Sequence, residues 1–179
     1  MRDKKIYLVP IGKVRIEILE YLKENLSLIF PYFFEVSDEI SIPENSLNVK
    51  RNQYFSPLFL EKLSKLELEQ AFKILGITEV DLYVPDLNYI FGQAKIRGRE
   101  ALISLARLNN TFYGLPENIK LLKERAIKEA VHELGHTFGL EHCSNPKCVM
   151  FFSNSLKDTD HKKEKFCNRC SSLISQFFT

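Results

Sequence analysis

Apolar and polar positions fall into two rhythms along this 179-residue chain, and each rhythm predicts its own kind of element. Residues 6–11, Ile-Tyr-Leu-Val-Pro-Ile, form an unbroken apolar run of the length of a buried strand. Over residues 14–29 the apolar positions instead recur at Val14, Ile16, Ile18, Leu19, Leu22 and Leu26, which is the spacing of a helix that buries one face. A second strand is expected at residues 31–36. Residues 41–51, with Pro43, Glu44, Asn45 and Ser46, then read as a polar connection. Ser56-Pro57 supplies an N-cap and first turn, and Leu58, Leu60, Leu63, Leu66 and Phe72 predict one helix over residues 58–75, stopped by Gly76. Strands are predicted at residues 80–84, 89–96 and 101–108, with Gly98 in the turn between the last two. A loop over residues 109–118 precedes a long helix that begins near Glu117. Its stripe of Leu121, Leu122, Ile127, Ala130, Val131, Leu134 and Phe138 is broad enough to bury it against a sheet. The fold class expected is mixed α/β (α+β), with one twisted mixed β-sheet and a central helix.

Length and charge narrow the possibilities. The chain suits a single domain over residues 1–179, divided into an amino-terminal subdomain of about residues 1–139 and a cysteine-rich subdomain of about residues 140–179. Hydrophobic residues at 45% and charged residues at 27% are ordinary for a soluble protein, and a net charge of +2 is too small to argue for a nucleic-acid partner. No apolar stretch approaches the roughly eighteen residues needed to span a bilayer. The start of the chain passes from charge directly into a strand, without a secretory pattern or a propeptide carrying a cysteine. A cytoplasmic monomer is therefore expected, with no membrane partner.

All four histidines and all four cysteines lie between Val131 and Cys170. His132 and His136, four apart, share one face of a helix one turn from each other, so two imidazoles can converge on one ion. Glu133 points roughly 100° further round the helix, too far to be a natural third ligand and near enough to act on a metal-bound water as general base. Gly139 permits a left-handed turn, after which His142 can return as a third neutral ligand. Three protein ligands with a fourth position left for water is the open arrangement of a catalytic zinc. The full pattern of Glu, glycine and three histidines should arise by chance in about one in several hundred thousand chains of this length, which sets aside a helix that merely carries two histidines.

The string H-E-x-x-H-x-x-G-x-x-H followed by a methionine, here His132 to His142 and Met150, resembles the signature of the metzincin metallopeptidases. Cys143 directly after the third histidine, Cys148, and a closing C-x-x-C pair of Cys167 and Cys170 make it similar to the archaemetzincin family in particular. Close resemblance covers some forty residues and extends to the rest only in length and element order. It implies a metzincin-like fold and a zinc-dependent peptidase acting on a peptide or protein substrate, with Glu133 taking the proton of a zinc-bound water and passing it to the leaving amine. By the same resemblance one of the strands at residues 89–96 or 101–108 runs at the cleft, antiparallel to bound peptide. Met150 corresponds to the methionine that floors the metal site without ligating it. Neither Phe151 nor Phe152 offers a hydroxyl to the reaction. Tyr83, Tyr89 and Tyr113 stand as unranked candidates for stabilising the oxyanion. The alternative function is a zinc-containing peptide- or protein-binding module with little or no catalysis.

Cys143, Cys148, Cys167 and Cys170 have the pair spacings of a four-thiolate structural zinc site, with two disulfides as the alternative. The expectation is thus two Zn2+ per chain, one catalytic and one structural. Because His142 and Cys143 are neighbours in sequence, their side chains can serve two different ions. The charged run at residues 157–165 reads as a solvated face or helix end, with His161 exposed in it.

Overall fold

The computed structural model describes residues 4–178; Met1 to Asp3, on which part of the amino-terminal reading rests, lie outside the described residues. Its main sheet has five strands. In the centre are β1 (Lys5–Ile11) and β5 (Ala71–Thr78), which pair in parallel. Parallel to them lie β2 (Phe33–Val36), outside β1, and β9 (Glu100–Ser104), outside β5. The short β8 (Gly92–Ala94) runs antiparallel to β9 and forms the edge, giving the order β2-β1-β5-β9-β8.

Helices on both faces explain why β1 is apolar at nearly every position. Ile6 and Leu8 join one core with α1 (Ile16–Ile29) and α3 (Ile119–Thr137), while Tyr7, Val9 and Ile11 join a second core with α2 (Ser56–Ser64). Two helices, α4 (Leu156–His161) and α5 (Asn168–Ser175), complete the carboxyl-terminal part.

Several sequence expectations are corrected. The helix predicted over residues 58–75 ends at Ser64, and Ala71–Thr78 is the central strand of the sheet. The apolar spacing that carried the prediction belongs to two elements, because Phe59, Leu60 and Leu63 are buried from α2 whereas Ile74, Leu75 and Ile77 are buried as strand residues. Gly76 does not stop a helix. It lies in β5, where an added Cβ would come 2.8 Å from Leu63 Cδ1, so its bare backbone lets α2 pack closely on the sheet. Ser56 is the first residue of α2 and makes no capping bond; its buried hydroxyl donates to Gln93 on β8 instead.

A second sheet accompanies the first, in the order β3 (Leu47–Asn48), β4 (Gln53–Phe55), β6 (Leu82–Val84), β7 (Leu87–Ile90). The polar connection at residues 41–51 therefore contributes β3. The strand expected at 89–96 is broken at Phe91, its two parts serving different sheets, and the strand expected at 101–108 gives way after Ser104 to a 3-10 turn at Ala106–Leu108. No helix among the described residues is long and apolar enough to cross a membrane.

The charged run at residues 157–165 is not a purely solvated face. Thr159 and Lys162 are buried, and the Lys162 ammonium lies 3.0 Å from the buried Glu129 carboxylate on α3. Thr159 Oγ1 donates to the same oxygen at 3.1 Å. Arg125 adds a two-pronged bond to Asp160, at 2.6 and 2.8 Å, which straps α4 to α3. His161 is exposed, as expected.

Candidate active site and cysteine cluster

Position begins with α3. The Asn118 side chain caps its first turn by accepting from the Leu121 N–H at 3.0 Å, and from Leu122 onward most of the helix is buried. At the far end Lys73, a buried residue of β5, donates to the Thr137 carbonyl at 2.8 Å and to the Gly98 carbonyl at 2.6 Å. A cation on the last carbonyls complements the helix dipole and fixes the end from which His136 projects. The chain then turns at Gly139, with φ of +87°, and the exposed His142 comes back over the helix.

His132, His136 and His142 converge, each offering a nitrogen within 4.8 Å of the others. His132 Nδ1 lies 2.8 Å from the Val149 carbonyl and His136 Nδ1 lies 2.7 Å from that of Leu140. Carbonyls can only accept, so both Nδ1 atoms carry the proton and both Nε2 atoms present lone pairs, in the orientation common to metal-binding histidines. Those two Nε2 atoms are 3.1 Å apart. Facing lone pairs repel unless a cation lies between them, and burial pushes both imidazoles below their usual pKa, His132 the further, which opposes a bridging proton. A zinc ion fits this donor set. The His142 ring is held from the other side by Phe152, with centroids 4.8 Å apart.

Beside this cluster the buried Glu133 carboxylate packs against the edge strand. An added Cβ at Gly92 would come 2.7 Å from Glu133 Cγ and Oε1 and 2.7 Å from the Leu102 carbonyl, so β8 approaches the carboxylate only because position 92 has no side chain. Burial raises the Glu133 pKa well above the usual carboxylate range, and the nearby Glu129 charge adds to the effect. Below the helix the fully buried Met150 thioether touches Gly135, where an added Cβ would come 2.5 Å from the sulfur. Gly92, Gly135 and the Glu129–Lys162 pair are all absent from the sequence reading. Of these, only Gly135, the glycine of the H-E-L-G-H string, carried a local signal.

Of the three tyrosines considered, Tyr89 alone lines the cavity next to Glu133, and its hydroxyl donates to the Asn154 carbonyl at 2.8 Å. Tyr83 stacks on Arg51 in the second sheet, and the Tyr113 hydroxyl donates to Arg107. Of the two strands offered for the cleft, the one at residues 89–96 contains the edge.

The four cysteine sulfurs also lie within 4.8 Å of one another, and none is in a disulfide. Cys143 and Cys167 Sγ are 3.8 Å apart, about the separation of two thiolates on a tetrahedral zinc with bonds near 2.3 Å. Backbone N–H groups of Cys167 and Asn145 point at the sulfurs of Cys148 and Cys143. The Cys170 backbone N–H, foremost among several thiol contacts, brings Cys167 down to about 7, whereas burial pushes Cys148 and Cys170 up. One stretch of chain links the two clusters. Cys148 supplies a sulfur, Val149 the carbonyl that orients His132, and Met150 the floor, while the Met150 carbonyl accepts from the Cys143 N–H at 2.9 Å.

Fold and site together define a zinc metallopeptidase. The chain matches the model of peptidase family M54 over residues 14–176 and belongs to that family, the archaemetzincins. It is 49% identical over 176 residues to the archaemetzincin of Pyrococcus furiosus, with 95% of this chain and 91% of that protein covered. To the archaemetzincin of Methanocaldococcus jannaschii it is 46% identical over 166 residues, covering 93% and 90%. The crystal structure of archaemetzincin from Methanopyrus kandleri superposes with a TM-score of 0.86 at 38% identity, covering 97% of this chain and 94% of that one.

Proposed function

We propose that His132, His136 and His142 hold a catalytic zinc, that Glu133 is the general base of peptide hydrolysis, and that Cys143, Cys148, Cys167 and Cys170 hold a second, structural zinc. The observation that carries this reading is the pair of Nε2 lone pairs 3.1 Å apart beside a buried carboxylate on a sheet edge. A zinc ion bound there supplies Lewis acidity, acidifying water and polarising a carbonyl.

The chain's own groups do the rest. Val149 and Leu140 hold the two imidazoles in the ligating tautomer. Gly92 brings β8 against Glu133, so an extended peptide added to this edge strand passes within reach of the carboxylate. Glu133 accepts the proton of the attacking water and returns it to the leaving amine, and burial, which raises its pKa, strengthens it as the proton's temporary holder. The Tyr89 hydroxyl, engaged with Asn154, is left outside the proton path.

The test pairs zinc content per chain, on protein purified without added metal, with cleavage of a peptide library by wild type and Glu133→Gln. Two zincs, with cleavage lost in the variant while both zincs are kept, is the expected result. Two zincs without any cleavage by wild type would favour a peptide-binding module, and a wild-type rate in the variant would remove Glu133 from the mechanism.

A further inference from the structure

Arg15, Arg51, Arg99, Arg107 and Arg125 each engage their guanidinium with a carboxylate or with backbone carbonyls. Among the described arginines only Arg97 and Arg169 make no side-chain hydrogen bond or ion pair, and both line the same cavity. This cavity, of about 300 Å³, has His142 in its wall and lies between the turn after β8, the Gly139 turn and α5. It shares no lining residue with the cavity next to Glu133.

Both arginines rise from fixed backbone. Arg97 has a φ of +59°, a left-handed conformation that a residue with a side chain rarely adopts, and its N–H donates to the His136 carbonyl at 3.0 Å. Its stem lies over Gly139, where an added Cβ would come 3.0 Å from Arg97 Cγ and 3.1 Å from Arg97 Nε. The guanidinium is therefore seated on the turn that returns His142 to the cluster. Arg169 stands in the first turn of α5 between Cys167 and Cys170, so the cysteine cluster fixes its backbone.

Charge and shape define what such a cavity takes. Glu141 is the one carboxylate in the lining, so two guanidiniums leave an excess of positive charge. Leu173 and Phe177, 43% and 46% exposed, present apolar surface beside them. A guanidinium fork matches a carboxylate, and the apolar wall suits a short methylene stem. Because β8 runs directly into the turn bearing Arg97, an extended peptide paired with this edge strand is led toward the two arginines.

We infer that this cavity is a subsite for an acidic side chain of the peptide substrate, on the His142 side of the scissile bond, with Arg97 and Arg169 binding its carboxylate. The inference rests on the peptidase function proposed above.

Two readouts test it, both with one peptide sequence in which Glu, Gln or Lys is placed at each position in turn. The peptides are acetylated and amidated at their ends, so that a side chain supplies the carboxylate. In the first readout they are cleaved by zinc-loaded wild type, Arg97→Gln, Arg169→Gln and Arg169→Glu. Wild type should prefer Glu to Gln on the order of tenfold in kcat/KM at one position, and each neutral variant should lower that ratio roughly threefold or more. In Arg169→Glu the preference there should pass to Lys, a reversal that general damage to the fold does not produce. A wild-type ratio near one at every position, or a ratio unchanged in both neutral variants, would overturn the assignment. The second readout does not depend on turnover: binding of the same peptides to zinc-loaded Glu133→Gln is measured by calorimetry. Tighter binding of a Glu peptide than of its Gln counterpart, lost when Arg169→Gln is added, supports the subsite even if wild type cuts nothing, in which case only the peptidase mechanism fails. Equal binding of the two peptides, no binding, or a preference that survives Arg169→Gln overturns the subsite.

Discussion

Replacing Lys162 with methionine should be among the most damaging single changes available outside the two clusters. Its side chain is fully buried, that of Glu129 is 4% exposed, and the charges are 3.0 Å apart. Lys162 Nζ also points at the Phe151 carbonyl, 3.4 Å away, which precedes the cavity residues Phe152 and Ser153. Methionine preserves most of the volume but leaves the Glu129 carboxylate buried with only the Thr159 hydroxyl, at 3.1 Å, to solvate it. Losing one member of such a pair costs about 3–5 kcal/mol, whereas replacing both by apolar groups of similar size is often neutral. For a chain of this length, with a shift of about 2–4 °C per kcal/mol, Lys162→Met should lower the melting temperature by about 6–20 °C. The assay is urea and thermal denaturation of wild type, Lys162→Met, Glu129→Leu and the double variant, all at one saturating zinc concentration, since bound metal itself adds to stability. The double variant should recover most of the loss. A cost below about 1 kcal/mol for Lys162→Met alone would refute the view that this pair is desolvated and coupled.

Gly92→Ala puts a methyl group against both Glu133 and the rigid Leu102 carbonyl. It should cost about 1–3 kcal/mol in unfolding and lower kcat/KM on the order of 100-fold while zinc stays bound, as read by denaturation, kinetics and elemental analysis. Cys167→Ser should weaken zinc affinity at the histidines as well as at the cysteines, since Cys148, Val149 and Met150 join the two clusters; competition with a chromogenic chelator measures this, and unchanged affinity at the histidines would disprove the link. In zinc-stripped protein Cys167 should be the first thiol alkylated by iodoacetamide. Its pKa is lowered, so the thiolate grows in as pH rises and the rate should reach half its maximum near pH 7, where Cys148 and Cys170, both pushed up, still react slowly; peptide mapping by mass spectrometry gives the order.

What sequence could reveal here follows from how far apart the interacting residues lie along the chain. His132, Glu133 and His136 sit on one helix whose geometry is local, and Gly139 announces its own turn, so this cluster was readable from spacing alone. The cysteine pairs were readable for the same reason. The central strand β5 was not, because Leu58 to Leu75 mimic a helical period and only pairing with β1 and β9, distant in sequence, decides otherwise. Lys162 stands at the end of α4, as the reading of a helix end allowed, but its burial was hidden similarly. In a run of charges nothing local distinguishes the one lysine that meets a carboxylate on another helix. Gly92 and Glu129 matter only through what the fold brings against them, the Glu133 side chain in one case and the Lys162 ammonium in the other. Neither leaves a mark in composition or periodicity.

The contact between Gly135 and Met150 bears on how such a chain can change over generations. The second free position of the H-E-x-x-H string is not independent of a residue fifteen places on, because any side chain at 135 must displace a thioether that is fully enclosed. Drift at either place is therefore constrained by the other. An alanine at 135 would be viable chiefly in a lineage that had already traded Met150 for something shorter, and restoring methionine there would then become the deleterious step. The order of substitution, and not only the final pair, decides which sequences this site can reach.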